Sequence, residues 1–204
     1  MNNIQLKGLI RNIQPSHRIK NIDYDQADII STRQNGKDDV ITIKFKRFCN
    51  KYKNGDTIEL SGNVRSFSQK LDTGRNKVDL YVFTYFDLPQ EGDHTNHFDI
   101  DGRICKIDDL RYTKDGNRNI HLILANNLII EDTNQKLNSY LPCIAWGNIA
   151  TELAKLQVND QIIIHGELHS REYKKKLSGE DFEFRVAHEL VIQSFEVING
   201  ERNI

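Results

Sequence analysis

The sequence predicts an all-β protein built as two tandem five-stranded barrels, with one short helix in each half. Three observations carry this: an internal repeat, hydrophobic alternation with the period of a half-buried strand, and glycines set inside strand patterns. The length agrees, because 204 residues are about twice a hundred-residue barrel.

The repeat organises the chain. IQLKGLIRNIQ (Ile4–Gln14) is answered by FDIDGRICKID (Phe98–Asp108), with Gly8 matching Gly102 at an offset of 94 residues. NGDTIELSGNVRSF (Asn54–Phe67) is answered by VNDQIIIHGELHSRE (Val158–Glu172). There Asp56 matches Asp160 and Gly62 matches Gly166, at an offset of 104. Each copy then runs through a polar, basic turn into another strand, LDTGRNKVDLYVF or KKKLSGEDFEFRV. Between the copies, DLPQEGDHTNH (Asp87–His97) gathers Pro, Gly and polar residues and loses apolar periodicity. The expected organisation is a first domain over 1–88, a linker over 89–96 and a second domain over 97–204.

Each element has its own signal. Ile4, Leu6 and Leu9 alternate around Gly8, where an in-strand glycine suggests a bulge or tight bend. Ile29–Arg33 and Val40–Phe45 flank QNGKDD, whose Asn35-Gly36 marks a hairpin. Asn119–Ile130 and Ser139–Trp146 flank EDTNQK as the equivalent hairpin. NIATELAKL (Asn148–Leu156) places Ile149, Leu153 and Leu156 on one helical face, with Asn148 as N-cap. Phe182–Val186 alternates as a half-buried strand. The order β-β-β-α-β-β is that of the OB-fold, whose curved strands need glycine at bends.

Composition excludes several functions. With 28 Lys+Arg against 29 Asp+Glu the net charge is −1, so the chain is no globally basic nucleic-acid binder. The halves differ: residues 1–93 carry +3 and residues 94–204 carry −4. No stretch of eighteen apolar residues and no secretory signal are visible, and the three cysteines form no CxxC pair. A reducing cytoplasm and no membrane association are expected. No Gly-rich phosphate loop, GxSxG elbow or HExxH occurs, so neither an enzyme nor a cofactor is expected. The closest histidine pair, His94 and His97, falls in the linker with no cysteine nearby and reads as solvated, so no metal is expected.

Aromatic residues interleaved with basic ones near hairpins stand out instead. HSREYKKK places Arg171, Lys174, Lys175 and Lys176 around Tyr173. RSFSQK places Arg65 and Lys70 around Phe67. ITIKFKRF sets Lys44, Lys46 and Arg47 around Phe45 and Phe48, where Phe45 could equally be core. Every base offers a π-face on which a ring can stack without reading its identity, while Lys and Arg follow the phosphates.

The run YLPCIAWGNIATELAKLQVNDQIIIHGELHSREY resembles the bacterial single-stranded DNA-binding proteins. Their pattern is an apolar strand ending in aromatic-Gly, a helix, an Asn-Asp turn, then Gly-x-Leu-x-x-Arg-x-aromatic. DGRICKIDDLRYTKDG resembles that family's first strand and basic loop, and the first half matches more weakly. The resemblance implies that Trp146, Tyr140 and Tyr173 stack bases and that Arg111 sits at the basic loop position. Taken by itself, a lone tryptophan at a strand end is either a core plug or an exposed platform, and the platform is preferred here. One family aromatic falls near Ile129 or Ile130, where an aliphatic residue contacts a base less well.

The expected protein is a tandem OB-fold form that binds single-stranded DNA with little sequence preference, in replication, recombination or transfer of DNA. The family generally groups four barrels, so a homodimer is expected. The sequence ends at FEVINGERNI with no acidic tail, so tail-mediated recruitment of repair enzymes is not expected. The alternatives are a protein–protein interaction module, since OB barrels also bind proteins, or a single-stranded RNA binder.

Overall fold

The computed structural model describes residues 1–49, 51–70, 76–84, 96–130, 135–176 and 182–198. Eleven strands form, in order β1 (Asn2–Ile19), β2 (Ile22–Thr32), β3 (Asp38–Lys46), β4 (Thr57–Lys70), β5 (Asn76–Thr84), β6 (Asn96–Ile107), β7 (Arg111–Tyr112), β8 (Arg118–Ile130), β9 (Gln135–Trp146), β10 (Gln161–Lys176) and β11 (Phe182–Val197). One α-helix, α1 (Gly147–Leu153), follows β9, and a 3-10 turn spans Arg47–Cys49. Among the described residues the helix expected in the first half is therefore represented only by that turn. The chain is nearly all-β, as expected.

The chain divides into two compact units. One comprises Ile4–Asn96 with Leu168–His188; the other comprises Met1–Asn3, His97–Glu167 and Glu189–Ile204. They are called the N-terminal and C-terminal units below.

In the N-terminal unit β1 pairs antiparallel with β2 and β4, β2 with β3, and β4 with β5, while β3 pairs parallel with β5. Strict alternation in β3 explains its seating: Asp39, Ile41, Ile43 and Phe45 are buried, while the residues between them stay partly open. The C-terminal unit repeats the scheme, with β6 pairing with β10 and β8, β8 with β9, and β9 parallel with β11. Phe98, Ile100, Ile104, Ile120, Leu124 and Ile164 are completely buried in its core. Leu153 and Ala150 of α1 are buried too. Asn148 is not the N-cap: that position is Trp146 in extended conformation, without a side-chain cap. The Asn148 side chain instead accepts a hydrogen bond from Arg118 at 3.0 Å.

The sequence repeat is reproduced bond for bond. Ile10 N–H donates to Asp56 O, and Ile104 N–H to Asp160 O, each at 2.9 Å. Asp56 accepts from Lys53 N–H and Asp160 from Gln157 N–H, again both at 2.9 Å. The turn residue between them is left-handed in both copies, Gly55 at φ +100° and Asn159 at φ +82°, which suits glycine and asparagine. Ile4 faces Gly62 as Phe98 faces Gly166, and Gly8 faces Ile58 as Gly102 faces Ile162.

The in-strand glycines serve close approach rather than bulging. Pairing runs unbroken through Gly8, and the register shifts of β1 lie further on, at Arg11–Gln14 and Pro15–His17. A Cβ on Gly166 would collide with the Val191 carbonyl oxygen, a backbone atom that cannot swing aside. Gly166→Ala is therefore expected to destabilise the protein by about 1–3 kcal/mol, as overpacking of a filled core does. A thermal melt of the variant checks this.

The Asn35-Gly36 hairpin forms with a three-residue loop: Arg33 N–H meets Lys37 O at 2.9 Å and Gly36 takes φ +80°. Among the described residues, no helix is long and apolar enough to cross a membrane.

Candidate nucleic-acid interface

In the C-terminal unit the candidate site lies on the outward face of β6, β8 and β9. Alternation along β9 turns Leu141 and Cys143 into the core and leaves Tyr140 and Trp146 outward, 50% and 45% exposed. Trp146 is thus exposed and not a core plug. Tyr140 stands opposite Ala125 in the β8–β9 register. Ile129 is exposed on the same face of β8, where the resemblance placed an aromatic. Between the two rings lies a shallow groove of about 270 Å³, lined by Lys106, Asp108, Arg111, His121, Ile123 and Pro142 among others.

The groove carries positive charge. Asp108 is 2.7 Å from the Lys106 ammonium and 3.0 Å from the Arg111 guanidinium. Lys106, then burial in the opposite sense, then Arg111 act on its carboxyl, and the balance holds it below its ordinary pKa of 3.8. Two cations thus share one carboxylate, leaving a net +1 beside an aromatic-flanked trough. Arg111 is well exposed there, its side chain 63% open.

The N-terminal unit presents a different set on the corresponding face. The Lys44 ammonium lies 4.5 Å from the Tyr81 ring centre and the Arg65 guanidinium 3.9 Å from that of Phe83. Tyr24 stacks on His17 at 4.8 Å and meets Phe83 at 6.0 Å. Burial, partly offset by Asp79, lowers the Lys44 pKa. Lys44, exposed Phe67, Tyr81, Val186 and His188 line a groove of about 260 Å³. Val186 and His188 come from β11, in the segment that the fold groups with this unit.

That segment is anchored by polar contacts. Strand β3 pairs with β5 only around Ile43 and Lys44, so its earlier part has an open edge. Val40 N–H donates to Ser170 Oγ and Val40 O meets His188 Nε2, both at 2.8 Å. Fully buried Asp39 takes Arg33 at 2.6 and 2.5 Å and the Ser170 N–H at 2.5 Å. Tyr173 is half-buried and interacts electrostatically with Arg185, while Lys174 lies 5.3 Å from the Phe184 ring and 6.0 Å from Phe182.

The expected residues therefore separate. Trp146, Tyr140 and Arg111 share the C-terminal face. Arg65 and Phe67 lie in the N-terminal unit, with Arg171, Tyr173 and Lys174 on the segment grouped with it. Phe45 is completely buried in the core, so it leaves the set of stacking candidates. Lys46 is half-buried, 5.7 Å from the exposed Phe48 ring. Arg47 is engaged by Asp25 at 2.8 Å and Asp23 at 3.4 Å. The side chains of Lys70, Lys175 and Lys176 lie outside the described residues.

Lys106, His121, Tyr81 and Tyr112 were not anticipated as site residues. Tyr112, 67% exposed, follows Arg111 directly and could have been found by the same aromatic-beside-basic rule. Phe182 and Phe184, expected on the buried side of a half-buried strand, are 57% and 67% exposed.

A family model described as the single-strand binding protein family matches residues 95–198, just over half of the chain. The chain belongs to that family. Its fold is also similar over the full length to solved structures of the single-stranded DNA binding protein from Thermus aquaticus. The wild-type structure superposes with a TM-score of 0.71 at 18% identity, covering 100% of this chain and 96% of that one. A deletion variant of the same protein gives 0.71 at 17% identity, covering 98% and 96%. A search of curated proteins finds no match.

Proposed function

We propose that this protein binds single-stranded DNA with little sequence preference, stacking bases on exposed rings and neutralising phosphates with Lys and Arg. The observation that carries this is the outward pair Tyr140 and Trp146, flanking a trough that holds Lys106 and Arg111. A ring on a rigid strand stacks any base, and a cation beside it meets the phosphate that follows.

Two tandem OB barrels, over 1–88 and 97–204, would give each chain two such faces. The pairings β1–β2–β3–β5–β4–β1 and β6–β8–β9–β11–β10–β6 each return to their starting strand, which supports that reading. A homodimer would supply four barrels. The role is binding, in replication, recombination or transfer of DNA.

The test is a titration of the full chain with oligo-dT, read by the fluorescence of Trp146, the single tryptophan. Quenching is expected, and so is weakening with salt, at a log–log slope of about −0.7 per phosphate contacted. A matched RNA strand in the same titration separates DNA from RNA binding. Unchanged fluorescence and no mobility shift at low salt would overturn the proposal.

A further inference from the structure

His97, expected in a solvated linker, instead lies in β6 together with Asp99. The two are two residues apart, so their side chains leave the same face of the strand. β10 runs antiparallel beside β6 and sets His165 directly opposite Asp99. Strand geometry places Asp99 about 6.6 Å along from His97 and about 5 Å across from His165. Two imidazoles and a carboxylate can converge over those spans, and they do. One donor atom from each residue lies within 4.8 Å of the other two. Asp99 Oδ1 is 2.5 Å from His165 Nδ1 and 3.2 Å from His97 Nε2.

The scaffold beneath is rigid, since Phe98, Ile100 and Ile164, the inward neighbours of these residues, are completely buried. The three side chains themselves are half-open, reachable by an ion from solvent. None of the three residues lines either groove described above.

We infer that His97, Asp99 and His165 form a binding site for a divalent transition metal of the zinc class. Two imidazole nitrogens and one carboxylate oxygen are a donor set for zinc and its neighbours, and hard cations such as magnesium prefer all-oxygen sets. Metal–ligand bonds of about 2.0–2.2 Å set the donors of a tetrahedral ion roughly 3.3 Å apart, close to the spacing of His97 and Asp99. On binding, the hydrogen now shared between His165 Nδ1 and Asp99 Oδ1 leaves that pair, moving to His165 Nε2 if the ring is neutral and to solvent if it is protonated, and the ion takes its place. Each imidazole then offers the ion one lone pair and carries its single proton on the other ring nitrogen. Three protein donors leave a fourth position for water. The site would staple β6 to β10.

The test uses the full chain, stripped with a chelator, and no DNA, so its outcome is independent of the proposed function. Titration with Co2+ should show a saturable visible absorption spectrum at one ion per chain, displaced by Zn2+. Excess Zn2+ should raise the melting temperature. His97→Ala, His165→Ala and the size-conserving Asp99→Asn should each weaken binding at least about tenfold, with circular dichroism unchanged. Two results overturn the inference: no saturable uptake by the parent chain, or undiminished uptake when all three residues are replaced. In either case the cluster is only a hydrogen-bonded His-Asp-His set.

Discussion

Replacing Trp146 and Tyr140 together with alanine is expected to lower affinity for oligo-dT by about 2–6 kcal/mol. Each base stacked on an aromatic ring contributes roughly 1–3 kcal/mol by alanine substitution, so each single variant loses about 5- to 150-fold. The effects should add, because six strand residues separate the rings by about 20 Å. Both rings are about half exposed, so neither fills a core cavity, and the melting temperature should hold. The double variant has no tryptophan, so the measurement is a mobility shift or a labelled-strand titration. Parent-like affinity in the double variant would remove the β8–β9 face from the binding path. Loss of folding would mean that the exposed faces of these rings hide a structural role.

Asp39→Ala is expected to cost about 3–5 kcal/mol of stability, the effect of removing one partner from a buried charge pair. Asp39 is completely buried and its carboxylate takes both Arg33 and the Ser170 N–H. Its loss strands a guanidinium that is only 17% exposed and bares a backbone donor. The pH dependence has a definite sign. Burial by itself raises the Asp39 pKa, but the hydrogen bonds from Arg33 and Ser170, helped by the charges of His169 and Arg33, bring it below the ordinary 3.8. A carboxyl depressed in the folded state contributes stability that is fully present above its unfolded pKa. That contribution is lost as pH falls through the folded value. Asp39→Asn should therefore destabilise the protein at neutral pH and flatten the acid limb of its stability curve. Urea unfolding midpoints across pH 3–7 measure both effects, and an unchanged acid limb would show that Asp39 contributes nothing there.

Much of the architecture was legible in the chain. The repeat located the strands because each copy needs a left-handed turn residue beside a capping aspartate, and Gly55-Asp56 and Asn159-Asp160 supply it. Period-2 alternation placed Phe182–Val186 in a strand but not its exposure, since Phe182, Glu183 and Phe184 are all exposed and the same face is buried only farther on, at Leu190 and Ile192. Alternation tells which residues share a face, and only the partner of that face decides which side is buried. Phe45 failed for the same reason in reverse: flanking lysines signalled exposure, yet the odd positions of β3 all turn inward. The helix offered a lure in Asn148, a strong capping residue, but Arg118 takes its side chain.

The strand order and the duplicated plan could be read along the chain, because local periodicity and turn chemistry are written in neighbouring residues, while Trp146 and Tyr140 as outward rings came from the family resemblance. The place of Leu168–His188 could not, and it emerged with the folded structure. Residues of the second sequence copy group with the first unit, since the open edge of β3 at Val40 needs Ser170 and His188, and buried Asp39 needs the Ser170 N–H. Folding also brings His165 to face Asp99 across two strands. An unpaired backbone edge and a cross-strand register are set by residues 66 to 148 positions apart, and no local pattern in the chain carries that information.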